Sequence, residues 1–236
     1  MKRVAIAGLC VIAMIAACAS TASYASASTI AFVGKSALRY SYAGHESSCK
    51  VPRPAGVAPG DQMLMLFYVE DPEGRGPFTV TSNGWQLLEK VENKSAGMWF
   101  DLIVFSRRYE AGDPSEYTVT WSGTAKRGCG ALAVAWSGVS ASEPINAHLG
   151  AASAGASSTV RGPSITTTRP NSMVVMLGDY NAPDTRTAPP GMEDIAGPEG
   201  VVAQVLQPEA KATGEKDAST GHAEGNVGYL VALTPE

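Results

Sequence analysis

Short stretches in which apolar and polar residues alternate recur along this chain, and turn residues separate them. The cleanest is "EYTVTW" (116–121), with Tyr117, Val119 and Trp121 on one face and Glu116, Thr118 and Thr120 on the other. "ALAVAW" (131–136) sets bulky Leu132, Val134 and Trp136 against Ala131, Ala133 and Ala135. A period of two is the signature of a strand. "TIAFVG" (29–34), "ALRYSYA" (37–43), "PFTVTS" (77–82), "SMVVML" (172–177) and "VGYLVAL" (227–233) read as strands as well. "QMLMLFYVE" (62–70) is almost continuously apolar and follows the turn-rich "RPAGVAPGD", which suits a strand covered on both faces. "MWFDLIVFSRR" (98–108) is similar but carries one acid, Asp101.

Past the N-terminus, no long segment keeps apolar residues at helical spacing without a Gly or Pro break. Gly (25) and Pro (15) are frequent, and charged residues make up only 17%, against roughly 25% in typical soluble proteins. The expected fold is all-β: a jelly-roll-like β-sandwich of two antiparallel sheets. The expected domain spans residues 28–236.

The two halves of that domain look alike. Each runs through a strand, a long loop, a glycine followed by a bulky residue, an apolar strand, a polar turn and a closing strand. Residue 62 aligns with 172, Gly84-Trp85 with Gly191-Met192, and 129 with 226. The pattern suggests pseudo-symmetry inside one sandwich, with strands of each half in both sheets.

The N-terminus reads as an export signal spanning 1–27. Lys2 and Arg3 precede an apolar run from Val4 to Ala17, and Ala25-Ser26-Ala27 permits a cut before Ser28. Ile15-Ala16-Ala17-Cys18 also resembles a bacterial lipobox, so a cut before Cys18 with lipid attached there stays open. The first cut releases the protein. The second holds it at a membrane on an Ala/Ser/Thr tether. Either leaves Cys49 and Cys129, an even pair in an exported chain, for which a disulfide is expected.

Net charge is −4 and no basic run exceeds Arg107-Arg108, which argues against nucleic acid as a partner. His45, His148 and His222 stand in separate polar stretches without ligand spacing, and no nucleophile, zinc or phosphate-loop motif occurs. No metal, cofactor or catalytic residue is therefore assigned. An acidic loop at Glu70, Asp71 and Glu73 lacks the donor spacing of a calcium loop.

Candidate ligand-binding residues are Trp99, Asp101 and Tyr180. Sugar rings stack their apolar faces on aromatic side chains, and an acid inside an apolar strand needs solvent or a partner. Trp121 and Trp136 are expected in the core, and Trp85 as a plug at a sandwich end.

The ordered set "VPRPAGVAPGDQMLMLFYV", "SNGWQLLE", "VFSRRYEAGDPSEYTVTWSG", "GALAVAWSGVSASEPINA", "SMVVMLGDY", "APPGMEDI" and "GYLVALTP" resembles a β-sandwich module of phage tail-associated and secreted bacterial surface proteins. The resemblance covers roughly residues 50 to 235. It implies a non-catalytic adhesion or glycan-facing role and supplies no ligand residues. A protein partner in an envelope assembly is the second expectation. A polysaccharide hydrolase using Asp101 and another carboxylate is the third.

Overall fold

The structure, a computed structural model, describes residues 29–70, 79–94, 100–122, 127–180, 185–195 and 200–236. The signal segment, Cys18, Trp99 and most of the acidic loop (71–78) lie outside the described residues. Among the described residues the regular elements are all strands.

The first half contains β1 (Ala31–Lys35), β2 (Arg39–Glu46), β3 (Ser48–Pro52), β4 (Gln62–Glu70), β5 (Val80–Ser82), β6 (Gln86–Asn93), β7 (Phe100–Arg108), β8 (Glu116–Trp121) and β9 (Arg127–Ser137). The second half contains β10 (Ile145–Ala152), β11 (Ser157–Gly162), β12 (Ser172–Tyr180), β13 (Arg186–Thr187), β14 (Glu193–Asp194), β15 (Val201–Gln207), β16 (Lys216–Glu224) and β17 (Asn226–Leu233).

Each half builds one large and one small antiparallel sheet. The large sheets run β1-β9-β4-β7-β6, with β2 also on β9, and β10-β17-β12-β15-β14. The small sheets run β3-β8-β5 and β11-β16-β13. Let β1 and β2 share first place in the first half. Both halves then have the order 1-8-3-6-5 over 2-7-4. Among the described residues no sheet mixes strands of the two halves, in contrast to the arrangement expected from the sequence.

Alternation along the strands explains the layering. In β4, Leu64 and Leu66 face a central core that also holds Val175, Leu177, Val202, Tyr229 and Val231 of the second half. Met63, Met65 and Phe67 face the other way, onto Val51, Tyr117, Val119 and Trp121 of the first small sheet. In β12, Val175 and Leu177 face the central core, whereas Val174 and Met176 meet Val160 and Ala218 of the second small sheet. The two large sheets thus pack on each other, and each small sheet caps an outer face. This is why "QMLMLFYV" is apolar on both sides.

The same alternation corrects the sequence alignment of the halves. Matching 62 with 172 would pair Leu64, in the central core, with Val174, in an outer core. A one-residue slip turns every side chain to the opposite face. Moving one residue on pairs Leu64 with Val175 and Met65 with Met176, which restores both faces. The match of Gly84 with Gly191 stands. Both have positive φ (74° and 78°), and both turns close through the next amide, Trp85 N–H to Ser82 O and Met192 N–H to Pro189 O. Trp85 is buried in the first outer core and Met192 packs against the second.

Polar bonds also cross between the halves. The indole N–H of Trp136 donates to Gln204 Oε1 at 2.7 Å, and the Gln204 amide donates to Glu193 at 2.9 Å. Asn93, fully buried, donates to the carbonyl of Asn226 at 2.9 Å. On the rim, His148 Nδ1 lies 3.4 Å from a Glu89 carboxylate oxygen, and its ring stacks on Tyr229.

Candidate functional site

Of the three residues singled out in the sequence, only Asp101 has a described side chain. It is 8% exposed and shares its strand face with Ile103 and Phe105. Lys90 Nζ reaches it at 3.2 Å and also bonds Glu92 at 2.9 Å. Burial alone would lower the Lys90 ammonium, but its bonds to Glu92 and the charge of Asp101 win, and its pKa is raised. Asp101 is thus tied into an ion-pair network rather than presented from a groove. The backbone of Tyr180 ends β12 opposite Asn226, and its side chain lies outside the described residues. Asp101 and Tyr180 belong to the large sheets of different halves, and nothing described brings them together.

Cys49 and Cys129 form a disulfide that closes an 80-residue separation. It joins β3 of the small sheet to β9 of the large one. Cys129 pairs with Val69 on one neighbouring strand and Ser41 on the other, so the bond pins three strands at one level. Trp121 and Trp136 are buried, in an outer core and the central core respectively.

One residue further along β9 lies a feature that sequence reasoning missed. Gly130 pairs with Tyr40 of β2 on one side and with Tyr68 of β4 on the other. A Cβ at position 130 would stand 1.7 Å from Cε1 and 2.3 Å from Cζ of Tyr68. The Tyr68 ring therefore lies directly over the glycine, which only a residue without a side chain allows. The Tyr40 ring sits beside it, with centroids 6.0 Å apart and planes tilted by 40°. Tyr40 is 39% exposed and Tyr68 half-buried; Leu38, also 39% exposed, precedes Tyr40 by two residues. The Tyr68 ring thus lies on a glycine floor with the Tyr40 ring beside it, next to the disulfide at Cys129. The available signal was a glycine inside an apolar strand, "CGALAVAW", which marks a close approach by a neighbour.

A cavity of about 410 Å³ opens beside the β10–β11 turn, lined mainly by small residues from Ala151 to Ser157, with Arg161 on its wall. The Arg161 guanidinium is already engaged by Asp217 at 3.0 Å and by Glu215 at 3.4 Å. Its walls offer surface but no free charge.

Among the described residues no group of three His, Cys, Asp or Glu side chains could hold a metal ion. No helix among them is long and apolar enough to cross a membrane. The disulfide is consistent with an extracellular location. No family model, curated protein or solved structure matches the chain.

Proposed function

We propose that this is an exported, non-catalytic binding domain, secreted or held at the bacterial surface through Cys18, and that its ligand is a glycan. The observation that carries this reading is the Tyr40–Tyr68 pair over Gly130. Two adjacent aromatic rings, Tyr40 exposed and Tyr68 half-buried, suit the apolar faces of sugar rings, and the contact with Gly130 lowers the cost of ordering Tyr68 on binding. The N-terminal segment, read as an export signal, and the sequence resemblance to surface modules point the same way, and the strand order 1-8-3-6-5 over 2-7-4 is read as jelly-roll-like with its fifth strand on the larger sheet. A glycan-array screen of the purified chain tests the proposal. Saturable binding that weakens with Tyr40→Ala is expected. Equal binding by Tyr40→Ala, or none by the parent protein, defeats it.

A protein partner in an envelope assembly is the second reading, favoured by Leu38, which extends the aromatic patch with exposed aliphatic surface. Cross-linking from a photoreactive group at position 38 to one defined envelope protein, without glycan binding, would establish it in place of the first.

A further inference from the structure

Resting on the glycan reading of the Tyr40–Tyr68 pair, we infer that the ligand is a single, turning polysaccharide chain and not the flat face of a crystalline polymer. A flat polymer face is bound by rings that share one plane. Here the two ring planes differ by 40° while the centroids are only 6.0 Å apart. No plane can lie flat on both rings, so a crystalline face would stack on one and miss the other. A chain that rotates between successive sugars can place one sugar face on each ring.

Rotation of the Tyr68 ring is opposed from below. Tyr68 is held over Gly130, with the β9 backbone under its Cε1 and Cζ atoms. Tyr40 and Tyr68 are tied through the register Tyr40–Gly130–Tyr68 across three hydrogen-bonded strands. The neighbouring Cys49–Cys129 bond fixes the middle strand to the small sheet behind it. The orientation of the Tyr68 ring is therefore set by the sheet, and the Tyr40 ring stands tilted by 40° against it.

The experiment compares two probe sets with the full chain: soluble linear oligosaccharides of four to six sugars, by calorimetry, and crystalline cellulose and crystalline chitin, by sedimentation. At least one soluble oligosaccharide is expected to bind saturably, with no retention on either crystalline polymer. Tyr40→Ala and Tyr68→Ala should each weaken the soluble binding by about 2- to 10-fold, the share of one aromatic face. Tyr40→Phe, which keeps the ring, should bind nearly as the parent. Because Tyr40 is exposed, its variants are expected to fold, and circular dichroism checks this. Retention on a crystalline polymer without soluble binding overturns the inference and leaves the glycan reading standing. Soluble binding indifferent to Tyr40→Ala overturns the assignment of the site. Binding to neither probe set, together with a blank array, overturns the glycan reading itself.

Discussion

Asn226 stands in the second half of the molecule where Cys129 stands in the first. Trp136 pairs with Gln62 at the start of β4, and Leu233 pairs with Met173 at the matching place in β12; both point into the central core. Cys129 and Asn226 each lie seven residues before that point. Cys129 is bonded to Cys49 on β3, and Asn226 donates its side-chain amide at 2.9 Å to Ser157 O on β11, the strand that corresponds to β3. One architecture thus uses a covalent link in one half and a partly buried hydrogen bond in the other.

The two links should differ in strength. Replacing both Cys49 and Cys129 by Ala should cost about 2–5 kcal/mol, because the bond closes a long loop in the unfolded chain. Asn226→Ala, which removes the side chain of a buried Asn and leaves the partly buried Ser157 carbonyl without this donor, should cost about 1–3 kcal/mol. Urea denaturation of the two variants beside the parent measures both.

Trp136 and Gln204 come from different halves and meet in the interior at 2.7 Å. Trp136→Phe removes the donor and leaves a small void, with an expected cost of about 2–4 kcal/mol. A double-mutant cycle with Gln204→Leu should give a non-zero coupling, because the two side chains touch. Additive losses would show that this bond does not join the halves energetically.

Acid should weaken the first half at an identifiable place. Hydrogen bonds from Arg107 hold the Asp113 carboxyl below its usual range, with help from the Glu110 amide and Tyr117. A lowered folded pKa stabilises above the ordinary value of 3.8 and is lost as pH falls through the folded value. Thermal unfolding should therefore show the parent losing stability below about pH 4. Asp113→Asn should start less stable at pH 6 and lose less over the same acid range.

Gly130→Ala should displace the Tyr68 ring, since the new methyl group would overlap Cε1. A cost of about 1–3 kcal/mol is expected, with a change in the tyrosine near-ultraviolet dichroism. Combining it with Tyr68→Ala should restore part of the loss, because the clash goes with the ring.

Much of the fold was legible in the sequence because strand alternation is local. "EYTVTW" and "ALAVAW" became β8 and the end of β9, with Trp121 and Trp136 in the core. The two-faced apolar run of β4 reflected cover on both sides, and the Cys49/Cys129 pair was readable from the even cysteine count and the expectation of export. What was not legible depends on register between distant strands. The match of 62 with 172 is one residue out because "SMVVML" is apolar on both faces and so gives no local sign of which face is which. Asp101 looked available because its partner, Lys90, lies on the neighbouring strand β6. Tyr40 and Tyr68 are 28 residues apart and meet only because both flank Gly130, so no local pattern joins them.

Backbone and aromatic NMR shifts recorded while a binding oligosaccharide is titrated into the labelled protein test the central claim most directly. The largest changes are expected at Tyr40, Tyr68 and Gly130, saturating with one affinity and absent from the small sheet of the second half. Changes centred on the cavity at 151–161, or on Tyr180, with Tyr40 and Tyr68 unmoved, would contradict it.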